Sequence, residues 1–203
     1  MRRVGVVLFE GFELLDVAGP LELFGKLPDL FSIELIAESA GPVASAQGPA
    51  WLADVDFEMA ATPDIALVPG GIGTRTLAKD QAFLAWLSSW AGTSEFVTSV
   101  CTGAGLLAAA GLLDGYRATT NKRAFDWPRS QGPQADWIAE ARWVQDRNRW
   151  TSSGVAAGMD MTLALIAHLH GESVAQALAD LIELEWHTDP NWDPFAALNG
   201  LTG

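Results

Sequence analysis

The sequence of 203 residues contains one cysteine, three histidines and few basic side chains. A single cysteine excludes an intramolecular disulfide, and no group of cysteines and histidines has the spacing of a zinc site. Twelve Lys and Arg stand against 25 Asp and Glu, so the formal net charge is −13. This imbalance disfavours nucleic acid and anionic membranes as partners.

Long hydrophobic runs are also absent. No apolar run approaches the roughly 18 residues of a membrane span, and no signal-peptide cleavage pattern follows the first residues. We therefore expect a cytoplasmic protein. The chain shows no internal repeat, low-complexity tract or linker, and 49% of its residues are hydrophobic. These features predict a single domain over residues 1–203, with an irregular carboxyl-terminal arm over residues 186–203.

The pattern of apolar segments predicts an α/β fold. Four continuous apolar runs are typical of buried strands: Val4–Phe9, Phe31–Ala37, Ile65–Val68 and Phe96–Val100. Helical patterns lie between and after them: Leu21–Leu27, Thr74–Trp90, Ala104–Leu113, Met159–His168 and Val174–Glu185. This alternation favours a doubly wound, mostly parallel sheet with helices on both faces. Residues 141–153 break the alternation and predict a β-hairpin that turns at Arg147-Asn148.

The cysteine lies where such a fold builds a reactive turn. Cys101 stands between the predicted strand ending at Val100 and the helix beginning at Ala104. The helix dipole and free backbone N–H groups favour a thiolate there. The same strand–turn–helix geometry displays the nucleophile of α/β-hydrolases. The alternative is a buried structural cysteine.

Three further segments meet the cysteine at the carboxyl edge of the predicted sheet. Asp16 lies in an apolar stretch, where burial beside a thiol should raise its proton affinity and let it move a proton. A helix N-cap is the alternative role for this carboxylate. Gly70 and Gly71 follow another strand, and we predict that the Gly71 N–H and that of Thr102 form an oxyanion-hole-type pair. A plain tight turn is the alternative there.

Five segments resemble the ThiJ/PfpI family of the class I glutamine amidotransferase-like superfamily, and most closely its isonitrile hydratase branch. These segments are 9–20, 68–73, 99–103, 118–121 and 151–160. The resemblance implies a flavodoxin-like sandwich, usually a homodimer, with Cys101 as a strained nucleophile and Asp16 as its acidic partner. It also places Asn121 where many relatives carry a histidine.

The lack of a histidine at position 121 limits the reactions that we expect this site to catalyse. His168 and His170 are expected to flank a helix carboxyl terminus, and His187 is a weaker candidate for the site. Without a histidine relay, hydrolysis of peptides or amides lacks the usual acid for an amine leaving group. We therefore predict an isonitrile hydratase that needs no cofactor or metal, with Cys101, Asp16 and Thr102 as catalytic residues.

Binding of the small-molecule substrate is assigned to three residues: Gly70, Gly71 and Asn121. Two of the nine tryptophans, Trp127 and Trp186, are candidates to line an apolar substrate pocket. A cysteine-dependent glyoxalase or deglycase is the enzymatic alternative. A redox or small-molecule sensor is the non-catalytic one, because an accessible thiol of low pKa would be open to oxidation.

Overall fold

The computed structural model describes residues 1–202; residue 203, the last of the predicted arm, lies outside the described residues. The strands are β1 (Arg2–Val7), β2 (Phe31–Ala37), β3 (Gly41–Ala44), β4 (Ala50–Ala53), β5 (Val55–Asp56), β6 (Ile65–Val68), β7 (Phe96–Ser99), β8 (Arg117–Ala118), β9 (Asp136–Trp137), β10 (Trp143–Asp146) and β11 (Arg149–Ser152). The helices are α1 (Leu14–Gly25), α2 (Thr74–Leu77), α3 (Gln81–Gly92), α4 (Gly103–Ala109), α5 (Asp126–Gln131), α6 (Ala157–His170), α7 (Glu172–Leu181) and α8 (Pro194–Leu198).

A seven-stranded sheet in the order β10-β11-β7-β6-β1-β2-β5 forms the centre of the molecule. Every neighbouring pair in it is parallel except β10 and β11. All four residues of β6 and of β7 are buried, which explains why these strands are continuously apolar or small rather than alternating. Two groups of helices cover the sheet: α6 packs with α1 and α7, whereas α4 packs with α2, α3 and α5. The predicted mostly parallel fold with an edge hairpin is therefore confirmed.

All five predicted helices have different bounds in the structure, and two of them differ in more than the position of their ends. The first begins at Leu14 rather than Leu21, so Pro20 lies inside α1 instead of marking its start. The predicted helix over residues 74–90 is two helices, because Asp80 interrupts it. The Asp80 carboxylate accepts hydrogen bonds from the N–H groups of Ala82 and Phe83 at 2.9 and 3.1 Å, and so caps the amino terminus of α3.

The carboxyl-terminal segment over residues 186–202, called the arm below, contains the short helix α8. The arm is fixed to the hairpin, since the Arg142 N–H donates to the Pro190 carbonyl at 2.7 Å. No helix within residues 1–202 is long and apolar enough to span a membrane.

The junction between β7 and α4 is so tightly packed that it requires glycine at its helical end. A Cβ atom at Gly103 would overlap the Val68 carbonyl oxygen and lie 2.7 Å from that of Pro69. Both obstacles are backbone atoms and cannot rotate away. The helix can therefore approach the end of β6 only without a side chain at this position.

We expect Gly103→Ala to lower the free energy of unfolding by about 2–3 kcal/mol, because overpacking of this kind forces the backbone to shift. Urea unfolding followed by circular dichroism measures this change. Gly25→Ala is the matched control: its Cβ would have only the Ile33 side chain near it, at 3.8 Å, so stability should hold or rise. Equal effects of the two substitutions would contradict the packing argument.

Candidate active site

Cys101 occupies a strained turn between β7 and α4. Its backbone φ is +56°, in the left-handed region that non-glycine residues rarely adopt. Two hydrogen bonds hold this conformation: the Cys101 N–H donates to the Ser153 carbonyl at 3.1 Å, and the Thr120 hydroxyl donates to the Cys101 carbonyl at 2.7 Å. The side chain is 6% exposed. The turn thus places the sulfur atom at the carboxyl edge of the sheet, where little of it is exposed to solvent.

Asp16 provides the acid that faces this sulfur. It lies in the first turn of α1, completely buried, and its Oδ1 atom has no hydrogen-bond partner within residues 1–202. It is close enough to Cys101 for its charge to raise the pKa of the thiol. Its Oδ2 atom accepts a hydrogen bond from the Gly70 N–H at 2.8 Å. The alternative role as N-cap is wrong, because Glu13 occupies the N-cap position of α1. Burial raises the pKa of Asp16 to about 8, and the charge of Glu13 adds to this effect.

The pKa of the Cys101 thiol is raised as well, to about 12, first by burial and then by the charge of Asp16. Hydrogen bonds from the N–H groups of Thr102 and Val155 and from the Asn121 side chain favour the thiolate, but they do not outweigh burial. The backbone N–H at the start of α4 thus lowers the pKa of the thiol, as predicted, but by less than burial raises it. Near neutral pH both members of the pair hold their protons.

The predicted glycine donors are engaged by the protein itself. The Gly70 N–H holds Asp16, and the Gly71 N–H donates to the Thr102 hydroxyl at 3.0 Å. At Gly71 φ is +125°, and an added Cβ would overlap the Gly11 carbonyl oxygen, so a tight turn also requires this glycine. The oxyanion role of the Gly71 N–H stays a prediction, one that requires the Thr102 hydroxyl to release its hydrogen bond.

Asn121 reaches the sulfur from the segment Thr119–Asn121, which we call the strap. Its Oδ1 atom accepts a hydrogen bond from the Ala124 N–H at 3.0 Å, and its side chain lies near enough to the sulfur to lower the pKa of the Cys101 thiol. The strap therefore contacts the cysteine twice, at the sulfur through Asn121 and at the carbonyl through Thr120.

Arg75 is a site residue that the sequence analysis missed. Its guanidinium carbon lies 3.7 Å from the centroid of the Trp127 ring, and its Nη1 atom donates to the Thr74 hydroxyl at 2.7 Å. That hydroxyl is 3.4 Å from the Thr102 hydroxyl. Burial lowers the pKa of Arg75, and the charge of Cys101 opposes this effect, which places the guanidinium group near the sulfur. The available signal was a basic residue at the start of a helix, directly after the glycine turn.

Val155 was also missed, because its contribution is a backbone N–H directed at the sulfur from a residue with φ of +43°. Of the two tryptophan candidates, Trp127 stands beside α4, where its ring would contact a Cβ at Gly105. Trp186 instead donates its indole N–H to the Asp160 carbonyl at 3.2 Å, on the side of the arm.

The histidines contribute no relay to the cysteine. His168 and His170 lie in the last turn of α6, as predicted, and pack on aromatic rings. His187 lies beside Trp192, and its backbone N–H donates to Asp160 at 3.0 Å. Within residues 1–202 no group of three or more His, Cys, Asp or Glu side chains is placed to hold a metal ion. The site therefore offers a thiol, a carboxyl group, an amide donor and one cation.

Known proteins share this arrangement of sequence and fold. The chain is 36% identical to the isonitrile hydratase of Pseudomonas putida over 193 residues, which are 94% of this chain and 81% of that enzyme. A ThiJ/PfpI family protein from Pseudomonas syringae has a crystal structure that superposes with a TM-score of 0.84 at 33% identity, covering 92% of this chain and 76% of that one.

A regulator matches as well: the HTH-type transcriptional regulator GbdR of Pseudomonas aeruginosa is 29% identical over 91% of this chain and 51% of its own length. The chain thus spans about half of that regulator. The model of the DJ-1/PfpI family matches residues 2–168, which contain the cysteine turn, Asp16, the glycine turn and the strap. The chain belongs to the DJ-1/PfpI family.

Proposed function

We propose that the protein is an isonitrile hydratase, which adds water to R–N≡C and releases the N-substituted formamide R–NH–CHO. The observation that carries this proposal is the fully buried Asp16 beside Cys101: its Oδ1 atom has no hydrogen-bond partner within residues 1–202, and its charge raises the pKa of the thiol. A movable proton therefore lies next to a nucleophile. The 36% identity to the Pseudomonas putida enzyme supports the same assignment. Hydration of an isonitrile expels no amine, so the reaction does not need the histidine that this site lacks.

In the first step the sulfur of Cys101 adds to the terminal carbon of the isonitrile. The reactive form of the pair carries one proton, with the thiolate beside protonated Asp16. A carbon–sulfur bond forms while Asp16 gives its proton to the same carbon. The product is the thioimidate R–N=CH–S–Cys101, and Asp16 is left as a carboxylate.

In the second step Asp16 takes a proton from water and passes it to the nitrogen, while the hydroxide adds to the thioimidate carbon, which leaves Asp16 a carboxylate again. The resulting R–NH–CH(OH)–S–Cys101 then breaks its carbon–sulfur bond. The carbonyl forms as the hydroxyl loses its proton, and the thiolate leaves with the Asp16 proton restored. The sum is one isonitrile plus one water giving one formamide, with the pair in its starting state.

The other site residues each stabilise one feature of this cycle. The Gly70 N–H fixes the Asp16 carboxyl group, and the Asn121 amide donates to the sulfur when it is negative. The positive charge of Arg75 offsets part of the repulsion between Asp16 and the thiolate. Thr102 is assigned to the substrate nitrogen, because its hydroxyl lies between the Gly71 N–H and the Thr74 hydroxyl.

The arrangement favours this reaction over the alternatives. A redox sensor requires an exposed thiol of low pKa, because the accessible thiolate is the form that is oxidised. Cys101 is only 6% exposed and its pKa is raised. Glyoxalase or deglycase chemistry requires a further acid or base near the cysteine, at the place that Asn121 takes. The single domain, the homodimer and the cytoplasmic location stay predictions.

Cys101→Ala should abolish formamide production from an aryl isonitrile, with a fall of at least about 1,000-fold, because no other nucleophile faces the substrate. Absorbance at the product wavelength, beside intact mass to verify the protein, measures it. Ser173→Ala, an exposed change on α7, is the control and should leave the rate unchanged. Turnover by the Cys101→Ala variant would exclude the thioimidate route.

Asp16→Asn should lower kcat by about 100- to 10,000-fold, because the amide cannot deliver a proton. In the wild type kcat/KM should rise toward a plateau as the pH passes about 8, since the pair then loses one of its two protons and only this one-proton form includes the reactive thiolate beside protonated Asp16. That step should vanish in the variant. A wild-type profile that falls with pH in this range would contradict the assignment.

The same variant should gain stability at alkaline pH. The folded pKa of Asp16 lies above its unfolded value, so the contribution of this group is favourable below pH 3.8 and is lost as the pH rises through about 8. Asp16→Asn removes that loss. Most of this loss occurs between pH 3.8 and about 8, so thermal melts at about pH 4 and above pH 8 should show the variant gaining stability relative to the wild type, while its activity stays low.

Arg75→Met should slow alkylation of Cys101 by iodoacetamide about three- to tenfold, because a nearby positive charge of this kind shifts a thiol pKa by up to about one unit. Arg75→Lys is the matched control, which keeps the charge and should keep most of the rate. A Lys variant as slow as the Met variant would show that stacking on Trp127, rather than charge, is what the site requires.

A further inference from the structure

A buried ion pair lies behind the strap, and the proposed reaction does not use it. The side chains of Lys122 and Asp193 are 1% and 0% exposed, with 3.9 Å between Nζ and Oδ2. The Asp193 Oδ2 atom has no hydrogen-bond partner within residues 1–202, whereas Oδ1 accepts from the Phe195 N–H at 3.0 Å and caps α8. Removing such charges from water is costly unless each has a partner.

The ammonium group of Lys122 holds the strap from behind. Its Nζ atom donates to the Thr119 hydroxyl at 2.6 Å, to the Ala141 carbonyl, and to the Thr120 carbonyl at 3.4 Å. Burial lowers the pKa of Lys122 to about 8, and the charge of Asp193 opposes this effect. Without Asp193 the ammonium would lose the one carboxylate that favours its charged form.

The strap transmits this support to the nucleophile. Thr120 donates to the Cys101 carbonyl at 2.7 Å, which helps to maintain the positive φ of the cysteine. Asn121, the residue next to Lys122, lies near the sulfur and lowers the pKa of the Cys101 thiol. Two contacts therefore connect Cys101 to a strap that is organised by one buried ammonium group.

Asp193 comes from the arm, beyond residues 2–168 that the family model matches. The arm is fixed elsewhere by Pro190, which accepts from the Arg142 N–H, and by His187, which donates to Asp160. Asp160 in turn pairs with Arg142 at 2.6 Å. The Asp193 carboxylate is thus delivered to Lys122 by a segment anchored at several points.

We propose that the arm is part of the active-site scaffold, in which Asp193 and Lys122 are positioning residues that hold the strap so that Asn121 donates to the Cys101 sulfur. This inference rests on the proposed role of Cys101 as nucleophile. Neither residue touches the substrate. Their effect reaches the reaction through the conformation of Thr120 and Asn121.

Asp193→Asn tests this inference, because asparagine keeps the shape and the helix cap and removes only the charge. The rate of alkylation of Cys101, the single cysteine, should fall about three- to tenfold, with its pH profile displaced toward higher pH, as expected for a thiolate that has lost a hydrogen bond. In the hydratase assay kcat should fall with KM nearly unchanged. Lys122→Met should act in the same direction, and the double variant should be no slower than the slower single one.

Leu178→Ala is the control for general destabilisation, since this buried residue of α7 lies outside the strap and the arm. It should lower the melting temperature and leave alkylation unchanged.

If Asp193→Asn does not fold, Lys122→Met with Asp193→Leu replaces the pair by apolar side chains and should show the same slower alkylation. Wild-type alkylation rates and pH profiles in these variants would overturn the inference. Alkylation needs no isonitrile, so wild type that alkylates but does not hydrate refutes the proposed function instead.

Discussion

Two acidic groups buried in contact cannot both be ionised, and the chemistry of this protein depends on that constraint. Asp16 is fully buried beside Cys101, and its charge raises the pKa of the thiol, while burial raises the pKa of both groups. The pair therefore exchanges its first proton near pH 8 and behaves as one titrating unit. With one proton left, such a pair can contain a thiolate nucleophile and a carboxylic acid together. Nearby hydrogen-bond donors determine whether the sulfur or the carboxylate carries the negative charge.

The fold supplies those donors from separate segments of the chain. The loop after β6 directs the Gly70 N–H at Asp16, and the strap directs the Asn121 amide at the sulfur. The Ser153 carbonyl, just after β11, fixes the cysteine N–H. Because the strands of a parallel sheet end at one edge, these groups meet without any long loop. The rigidity of the sheet, and the lack of space at Gly71 and Gly103, keep them there.

The sequence was sufficient to predict features that depend on burial and order along the chain. Strands Phe31–Ala37 and Ile65–Val68 have the predicted bounds, because apolar runs between breakers define them. The start of α1 was missed, since Pro20 was interpreted as a helix start although it lies inside the helix. Arg75 and Val155 were missed for other reasons: the first reaches the site through a long side chain, the second through a left-handed backbone conformation. The net pKa of Cys101 depends on burial, which local sequence does not encode.

The absence of a histidine beside the cysteine separates the reactions that this site favours from those of many cysteine enzymes. Cleaving an amide requires a proton for an expelled amine and a base for water, a task that histidine performs near neutral pH. Adding a thiol across the carbon of an isonitrile requires one proton at the carbon that the sulfur attacks. The following addition of water returns that proton to the pair. In the proposed reaction a buried carboxyl group with a pKa of about 8 gives and regains this proton at neutral pH, so that reaction requires no relay residue at Asn121.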